Sequence, residues 1–179
     1  MISKKKILLV GGCGFIGHNL ALYLLKLGHE PVIVDSLSIN NIYSQDNAEV
    51  LNQKLYTSIL KNRVELLKKN NIDLIINDAR NYHSISALYT QINPDIIIHL
   101  AAVSHANRSN KDPHTTFDHS LRTLENTLDF AKNKKTHTIY ISSSMVYGNF
   151  VTNEVDEDTA CKPIGIYGTL KYAGELIVK

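Results

Sequence analysis

The run Ile7-Leu8-Leu9-Val10, followed at once by Gly11-Gly12-Cys13-Gly14-Phe15-Ile16-Gly17, constrains this chain more than any other stretch. Consecutive apolar residues that break into closely spaced glycines read as a short buried strand turning directly into a helix. Such a junction brings bare backbone N–H groups to a helix N-terminus, where a dinucleotide pyrophosphate binds. Gly12, Gly14 and Gly17 fit G-x-G-x-x-G, and Gly11, Gly14 and Gly17 fit the looser G-x-x-G-x-x-G. In such a loop one glycine makes the tight turn, one admits the pyrophosphate to the backbone and one allows close helix–strand packing. The context agrees. Ile16, Leu20, Leu24 and Leu27 recur at helical spacing up to Gly28, and Val32-Ile33-Val34 reads as a second strand closing on Asp35. Asp35 stands 18 residues after Gly17, near the distance at which an acid accepts hydrogen bonds from an adenosine ribose.

At 179 residues the chain is one domain's worth, predicted as a single nucleotide-binding unit over 1–179. Its net charge of +2 is too mild to argue for a nucleic-acid partner, and Lys4-Lys5-Lys6 reads as a solvated N-terminus. Cys13 and Cys161 provide neither a disulfide framework nor metal-ligand spacing, which suits a reducing compartment. The first apolar run is too short for a signal peptide and no stretch approaches transmembrane length, so the expected location is cytoplasmic, with no membrane partner.

Beyond Asp35 and a polar turn, the segment to about Lys69 reads as a helix, with Leu51, Leu55 and Ile59 on one side and Val50, Tyr56 and Leu60 beside them. Residues 72–76 form a third strand that delivers Asp78 and Ala79 to the carboxyl edge of the sheet. There Asp78 can meet an adenine amino group or simply close a turn. Ser84 is the expected cap of a helix over 84–91, and 96–99 is a fourth strand ending in the small residues of Leu100-Ala101-Ala102. Asp112-Pro113 starts a further helix with the stripe Phe117, Leu121, Leu124, Leu128 and Ala131, and residues 138–141 form a fifth strand. The acids Glu154, Asp156, Glu157 and Asp158 lack the glycine and spacing of a calcium loop and read as solvated, so no metal site is expected. Near the end, Tyr167 and Lys171 are one helical turn apart on a common face. An ammonium held near a phenol favours the phenolate, which makes tyrosine usable as a base.

Taken in order, Gly11 to Gly17, Asp35, Asp78-x-Arg80, His99 to Ala102, Ser142 to Gly148 and Tyr167-x-x-x-Lys171 resemble the extended short-chain dehydrogenase/reductase family, the NAD-dependent epimerases and dehydratases of nucleotide sugars. The resemblance covers the whole chain. It implies an α/β fold, a Rossmann-type doubly wound parallel sheet of about five strands in the order 3-2-1-4-5, and NAD as cofactor. Asp35 would repel the 2′-phosphate of NADP, and no arginine follows it within the turn. By position, the resemblance implies Ser143, Tyr167 and Lys171 as the catalytic residues, with Tyr167 and Lys171 also touching the cofactor. It places Gly11, Gly14, Gly17, Phe15 and Ile16 at the pyrophosphate and Asp35 at the adenosine ribose. Asp78 and Ala79 would meet the adenine, and Leu100, Ala101 and Ala102 would lie beneath the cofactor. Ser120 takes the helix position that usually holds an asparagine. A nucleotide-diphosphate sugar is the implied substrate, and a homodimer, built from the helices after the fourth and fifth strands, the implied assembly.

Two departures shape the expected reaction. Dehydratases of this family carry Asp-Glu after the catalytic hydroxyl, whereas Ser144 and Met145 stand here. An epimerase or a dehydrogenase/reductase is therefore favoured over a dehydratase. Family members also continue well past the helix bearing the lysine, with a sixth strand and a smaller region that grips the nucleotide. The chain is accordingly expected to lack the C-terminal substrate region and to have little turnover by itself. A non-catalytic NAD-binding sensor is the alternative from another class, and retention of Ser143, Tyr167 and Lys171 together argues against it.

Overall fold

The computed structural model describes residues 3–39, 41–43, 52–103, 106–150 and 153–179, and for 106–108 the backbone alone. Five parallel strands, β1 (Lys6–Val10), β2 (Glu30–Asp35), β3 (Asp73–Ile76), β4 (Ile96–His99) and β5 (His137–Tyr140), form one sheet in the order β3-β2-β1-β4-β5. This is the predicted order. The register aligns Val10 with Val34 and His99, Asp35 with Ile76, and His99 with Tyr140. Every strand therefore ends at the same edge, and the residues that follow are delivered together to the crevice there.

Strand alternation divides the core. Leu8, Val10, Val32, Val34 and Ile97 pack on one face with Ile85 and Tyr89 of α3 (Tyr82–Ile92) and Phe130 of α6 (Thr123–Lys134). Ile7, Leu9, Ile33 and Ile98 pack on the other with Ala21 of α1 (Phe15–Lys26) and Leu67 of α2 (Gln53–Lys69). Each fully buried aliphatic side chain contributes on the order of 2 kcal/mol. Because β1 is covered on both faces, its sequence is a continuous apolar run rather than an alternating one.

Several predicted boundaries and faces are corrected. Ile16 of α1 and Leu27, the residue that ends it, point outward, because Gly17 and Ala21 set the face that lies on the sheet. The helix predicted to begin soon after residue 41 begins at Gln53, capped by Asn52, which accepts the Leu55 N–H. Its buried residues are Leu60 and Leu67, while Leu55 and Ile59 are exposed; Val50 and Leu51 lie outside the described residues. Helix α3 starts two residues before Ser84, and Asn81 is the cap, accepting the Ser84 N–H at 3.1 Å. Strand β3 starts one residue later than predicted and β5 starts and ends one residue earlier.

The helix announced by Asp112-Pro113 does form, with the Asp112 carboxylate accepting the Thr115 N–H at 3.1 Å. A short helix, α4 (Ala106–Lys111), precedes it. The predicted single helix is α5 (Pro113–Phe117) joined to α6 through a π-helical turn over Asp118–Arg122. A π turn inserts an extra residue and rotates what lies on either side. Leu124 and Ala131 consequently reach the core while Phe117 turns out to solvent. Helix α7 (Gly165–Val178) packs along β5, against α4 and against the π turn. No described helix is long and apolar enough to cross a membrane.

Candidate active site

The glycines at the head of α1 have different jobs. Gly11 lies at φ +75°, and a β-carbon there would stand 2.7 Å from the Ala101 Cα, so the loops leaving β1 and β4 share a gap that only glycine keeps open. Gly17 is pressed onto the Gly12 backbone, which seats α1 against β1. At Gly14, φ is −74°, open to any residue, and a β-carbon would meet nothing closer than the Gly11 carbonyl at 3.7 Å. Neither the backbone nor a protein neighbour demands glycine at 14, so it preserves open space above the loop. Gly14 is also the N-cap of α1, with no side-chain cap and no acid in the first turn, and Phe15 and Ile16 beside it are exposed. An uncapped, unshielded helix N-terminus under open space fits a dinucleotide pyrophosphate.

Asp35 turns back onto this loop. Its Oδ2 accepts the Cys13 N–H at 2.9 Å and its Oδ1 accepts the Leu37 N–H at 2.8 Å. Burial raises its carboxyl above the ordinary value, and the two backbone N–H groups oppose that rise. Each oxygen has a second lone pair, so the carboxylate can still accept from a ribose hydroxyl. At the end of β3, Asp78 accepts the Arg80 backbone N–H at 3.0 Å, which is the turn geometry, and also holds the Arg80 guanidinium at 2.6 Å. That guanidinium pins Asp78 well below the ordinary carboxyl value, so it stays an ionised acceptor. Arg80 also reaches Asp118 in the π turn at 2.9 Å. Ala79 is buried with Ile85 and Tyr89, and its carbonyl accepts from the Asn126 amide at 2.8 Å. Leu100 donates its N–H to the Val10 carbonyl at 2.8 Å, which ties the β4 loop, with Ala101 and Ala102, to the glycine turn.

The other half of the crevice is built where α7 meets the loop after β5. Lys171, buried at 5 % exposure, donates from Nζ to the Ile141 carbonyl at 2.7 Å and lies 4.9 Å from the Tyr140 ring centroid. One turn along α7, Glu175 accepts the Ser142 hydroxyl. One turn before Lys171, Gly168 leans on the Met145 carbonyl. Three positions of α7 thus clamp the loop after β5, at the Ile141 and Met145 carbonyls and the Ser142 hydroxyl, and Ser143 lies inside the clamp. Its hydroxyl accepts the Met145 N–H at 3.2 Å and caps the 3-10 turn over Ser144–Tyr147. Tyr167 stands on the same α7 face as Lys171, and the nearby Tyr140 phenol is pushed up to about 12, by burial first and then by its neighbours Tyr167 and Glu175. Burial brings the Lys171 ammonium down to about 8. Ser120 sits buried in the π turn, which packs against α7.

Beneath the site, His99 is enclosed. Its ring contacts the Thr127 hydroxyl at 3.1 Å and the Thr123 hydroxyl at 3.4 Å and stacks on Tyr140. Burial, with the nearby Lys171 charge, lowers His99 to about 3, so it is neutral. Sequence reasoning passed over His99 as a buried partner, Glu175 as a clamp and Asn126 as a strap. It also missed Arg63 of α2, whose guanidinium carbon lies 6.0 Å from the Phe15 ring centroid. Glu175 had a usable signal: it repeats the four-residue interval from Tyr167 to Lys171.

A parallel sheet of this order, with a glycine loop at its switch point, defines the Rossmann class of nucleotide-binding domains. Within that class the chain belongs to the extended short-chain dehydrogenase/reductases, the NAD-dependent epimerase/dehydratase family of enzymes, and residues 8–179 match the family described as GDP-mannose 4,6 dehydratase. Protein CapI of Staphylococcus aureus is similar at 30% identity over 174 residues, covering 96% of this chain and 48% of that protein. CDP-paratose 2-epimerase of Salmonella typhi is 29% identical over 167 residues, covering 89% of this chain and 44% of that protein. Among solved structures, UDP-glucose 4-epimerase from Brucella ovis in complex with NAD superposes with a TM-score of 0.77 at 25% identity, over 97% of this chain and 46% of that one. The chain spans about half the length of the relatives it matches.

Proposed function

We propose that the chain binds NAD and acts in epimerisation or oxidation–reduction of a nucleotide-diphosphate sugar, with Ser143, Tyr167 and Lys171 as the reacting set. The observation that carries this reading is the clamp. Helix α7 engages the backbone at Ile141 and Met145 on either side of Ser143, and carries the half-buried Tyr167 one turn before Lys171. A merely structural helix contact has no need of a buried ammonium at that point.

NAD, when bound, supplies a hydride acceptor. The chain's own residues supply the rest. Tyr167 as phenolate takes the proton from a sugar hydroxyl, Lys171 stabilises that phenolate by its charge, and Ser143 donates a hydrogen bond to the sugar oxygen as it becomes a carbonyl. Gly11, Gly14, Gly17, Phe15 and Ile16 receive the pyrophosphate on the uncapped turn of α1. Asp35 holds the adenosine ribose, Asp78 and the Ala79 N–H meet the adenine, and Leu100, Ala101 and Ala102 form the floor. Ser120 supports the α7 side of the crevice. Ser144 and Met145 offer no acid or base for eliminating water, which favours an epimerase or reductase over a dehydratase. Relatives that carry the name epimerase support this reading.

A homodimer through α5, α6 and α7 in the cytoplasm belongs to the same reading. Leu121 and Leu128 of the predicted stripe line an open cleft of about 960 Å³ beside α7, which supports association on that side.

The test is Tyr167→Phe. In a longer form of the protein that includes the substrate region, loss of the phenol should leave NAD still bound and slow its reduction by a nucleotide-diphosphate sugar about a hundredfold or more. Reduction at the unaltered rate would contradict the mechanism.

A further inference from the structure

Helix α2 presents its buried face through Leu60 and Leu67. Arg63 lies between them at helical spacing, three residues after one and four before the other, so a cation occupies a position that the pattern reserves for an apolar residue. Its Nε is buried without a hydrogen-bond partner. None of the ion pairs among the described residues includes it. What it does touch is the glycine loop. Its guanidinium lies 6.0 Å from the ring centroid of Phe15, the first residue of α1, and its charge is felt by the Cys13 thiol between Gly12 and Gly14.

A donor left unpaired in the interior is costly, and an arginine fork is built to bind oxyanions two-pronged. This one is held beside the uncapped N-terminus of α1, where the helix dipole already favours negative charge. We infer that Arg63 binds a phosphate group on the adenosine side of the dinucleotide, reaching over Phe15 from the helix that follows β2. The inference rests on the proposed NAD site and adds a residue to it. Two phosphates have the required chemistry: the adenosine-side phosphate of the pyrophosphate, common to NAD and NADP, and the 2′-phosphate of NADP. The turn after Asp35 has no arginine for the latter, but α2 brings one to the loop from 28 residues further on.

Calorimetric titration of the wild-type chain, Arg63→Met and Arg63→Lys with NAD, NADP and, by NMR, free adenosine tests this. Methionine keeps the length of the apolar stem, and melting curves report whether α2 remains docked. Arg63→Met should weaken NAD about ten- to a hundredfold, the range for losing a charge-assisted hydrogen bond, leave adenosine unchanged, and be partly restored by lysine. A loss several times greater for NADP than for NAD assigns the contact to the 2′-phosphate; equal losses assign it to the pyrophosphate. Unchanged binding of both dinucleotides, or an equal loss for adenosine, overturns the inference and leaves Arg63 a packing residue. A folded wild-type chain that binds neither dinucleotide overturns the NAD site itself, and this assignment with it.

Discussion

Lys171 donates to the Ile141 carbonyl at 2.7 Å, and this bond fixes both the ammonium and the strand end on which Ser143 is built. Burial lowers Lys171 from its ordinary 10.5 to about 8. Between those values the unfolded chain binds the proton and the folded chain does not. The contribution of Lys171 to stability therefore rises with pH across that interval and is least favourable below pH 8. The span corresponds to a penalty on the order of 3 kcal/mol at neutral pH. Lys171→Met should raise the denaturation midpoint at pH 7 and lose that advantage by about pH 10. A variant less stable than wild type at pH 7 would show that the bond to Ile141 outweighs the burial cost.

His99 should remain neutral far into acid. Its ordinary value is 6.5 and its folded value about 3, so below about pH 6 the unfolded chain binds a proton that the folded chain refuses. Stability falls with pH there by up to about 1.4 kcal/mol per unit from this group alone. NMR of the ring should show no titration between pH 8 and pH 4; a midpoint near 6.5 would contradict the enclosure of His99 by Thr123, Thr127 and Tyr140.

The two cysteines should differ in reactivity. Burial first, and the Asp35 charge second, push the Cys13 thiol up to about 11, whereas Cys161 is partly exposed. Thiolate is the reactive form. Alkylation at pH 8, read by mass spectrometry, should label Cys161 and leave Cys13 intact until the chain is unfolded. Equal labelling would mean that the glycine loop opens readily.

Asn126 straps α6 to the loop after β3 by donating to the Ala79 and Arg80 carbonyls at 2.8 and 3.1 Å. Asn126→Ala strands the buried Ala79 carbonyl and the partly buried Arg80 carbonyl and should cost about 1–3 kcal/mol in chemical denaturation. A cost under about 0.5 kcal/mol, the range of an indifferent surface change, would contradict the strap.

What the sequence made legible was local and periodic. The strand–glycine–helix–strand–acid order over residues 7–35 is specified by short-range chemistry, and Gly11 and Gly17 hold the conformations and contacts that such an order requires. The Asp112-Pro113 cap was legible for the same reason. The π turn at Asp118–Arg122 was not, because one inserted residue leaves the apolar spacing on each side intact and changes only their relative phase. Asn81 rather than Ser84 caps α3 because both are good caps and tertiary contacts chose between them; Asn77 donates to the Ser84 hydroxyl at 2.7 Å. Arg63, Asn126 and Glu175 act on residues far away in sequence, and single-residue type carries little trace of such partners. Ala79, which the family resemblance places at the adenine, also packs its methyl in the core, a contact that its place at a strand end does not reveal.

The central claim is that the open turn at Gly14 and the carboxylate of Asp35 together hold NAD. Calorimetric titration of the 179-residue chain with NAD, repeated on Asp35→Ala after circular dichroism has shown both to be folded, tests it most directly. The expected result is one NAD per chain, weakened about tenfold or more in the variant, as for loss of a charged hydrogen-bond acceptor. A folded wild-type chain that takes up no NAD, or equal affinity in the two proteins, would contradict it.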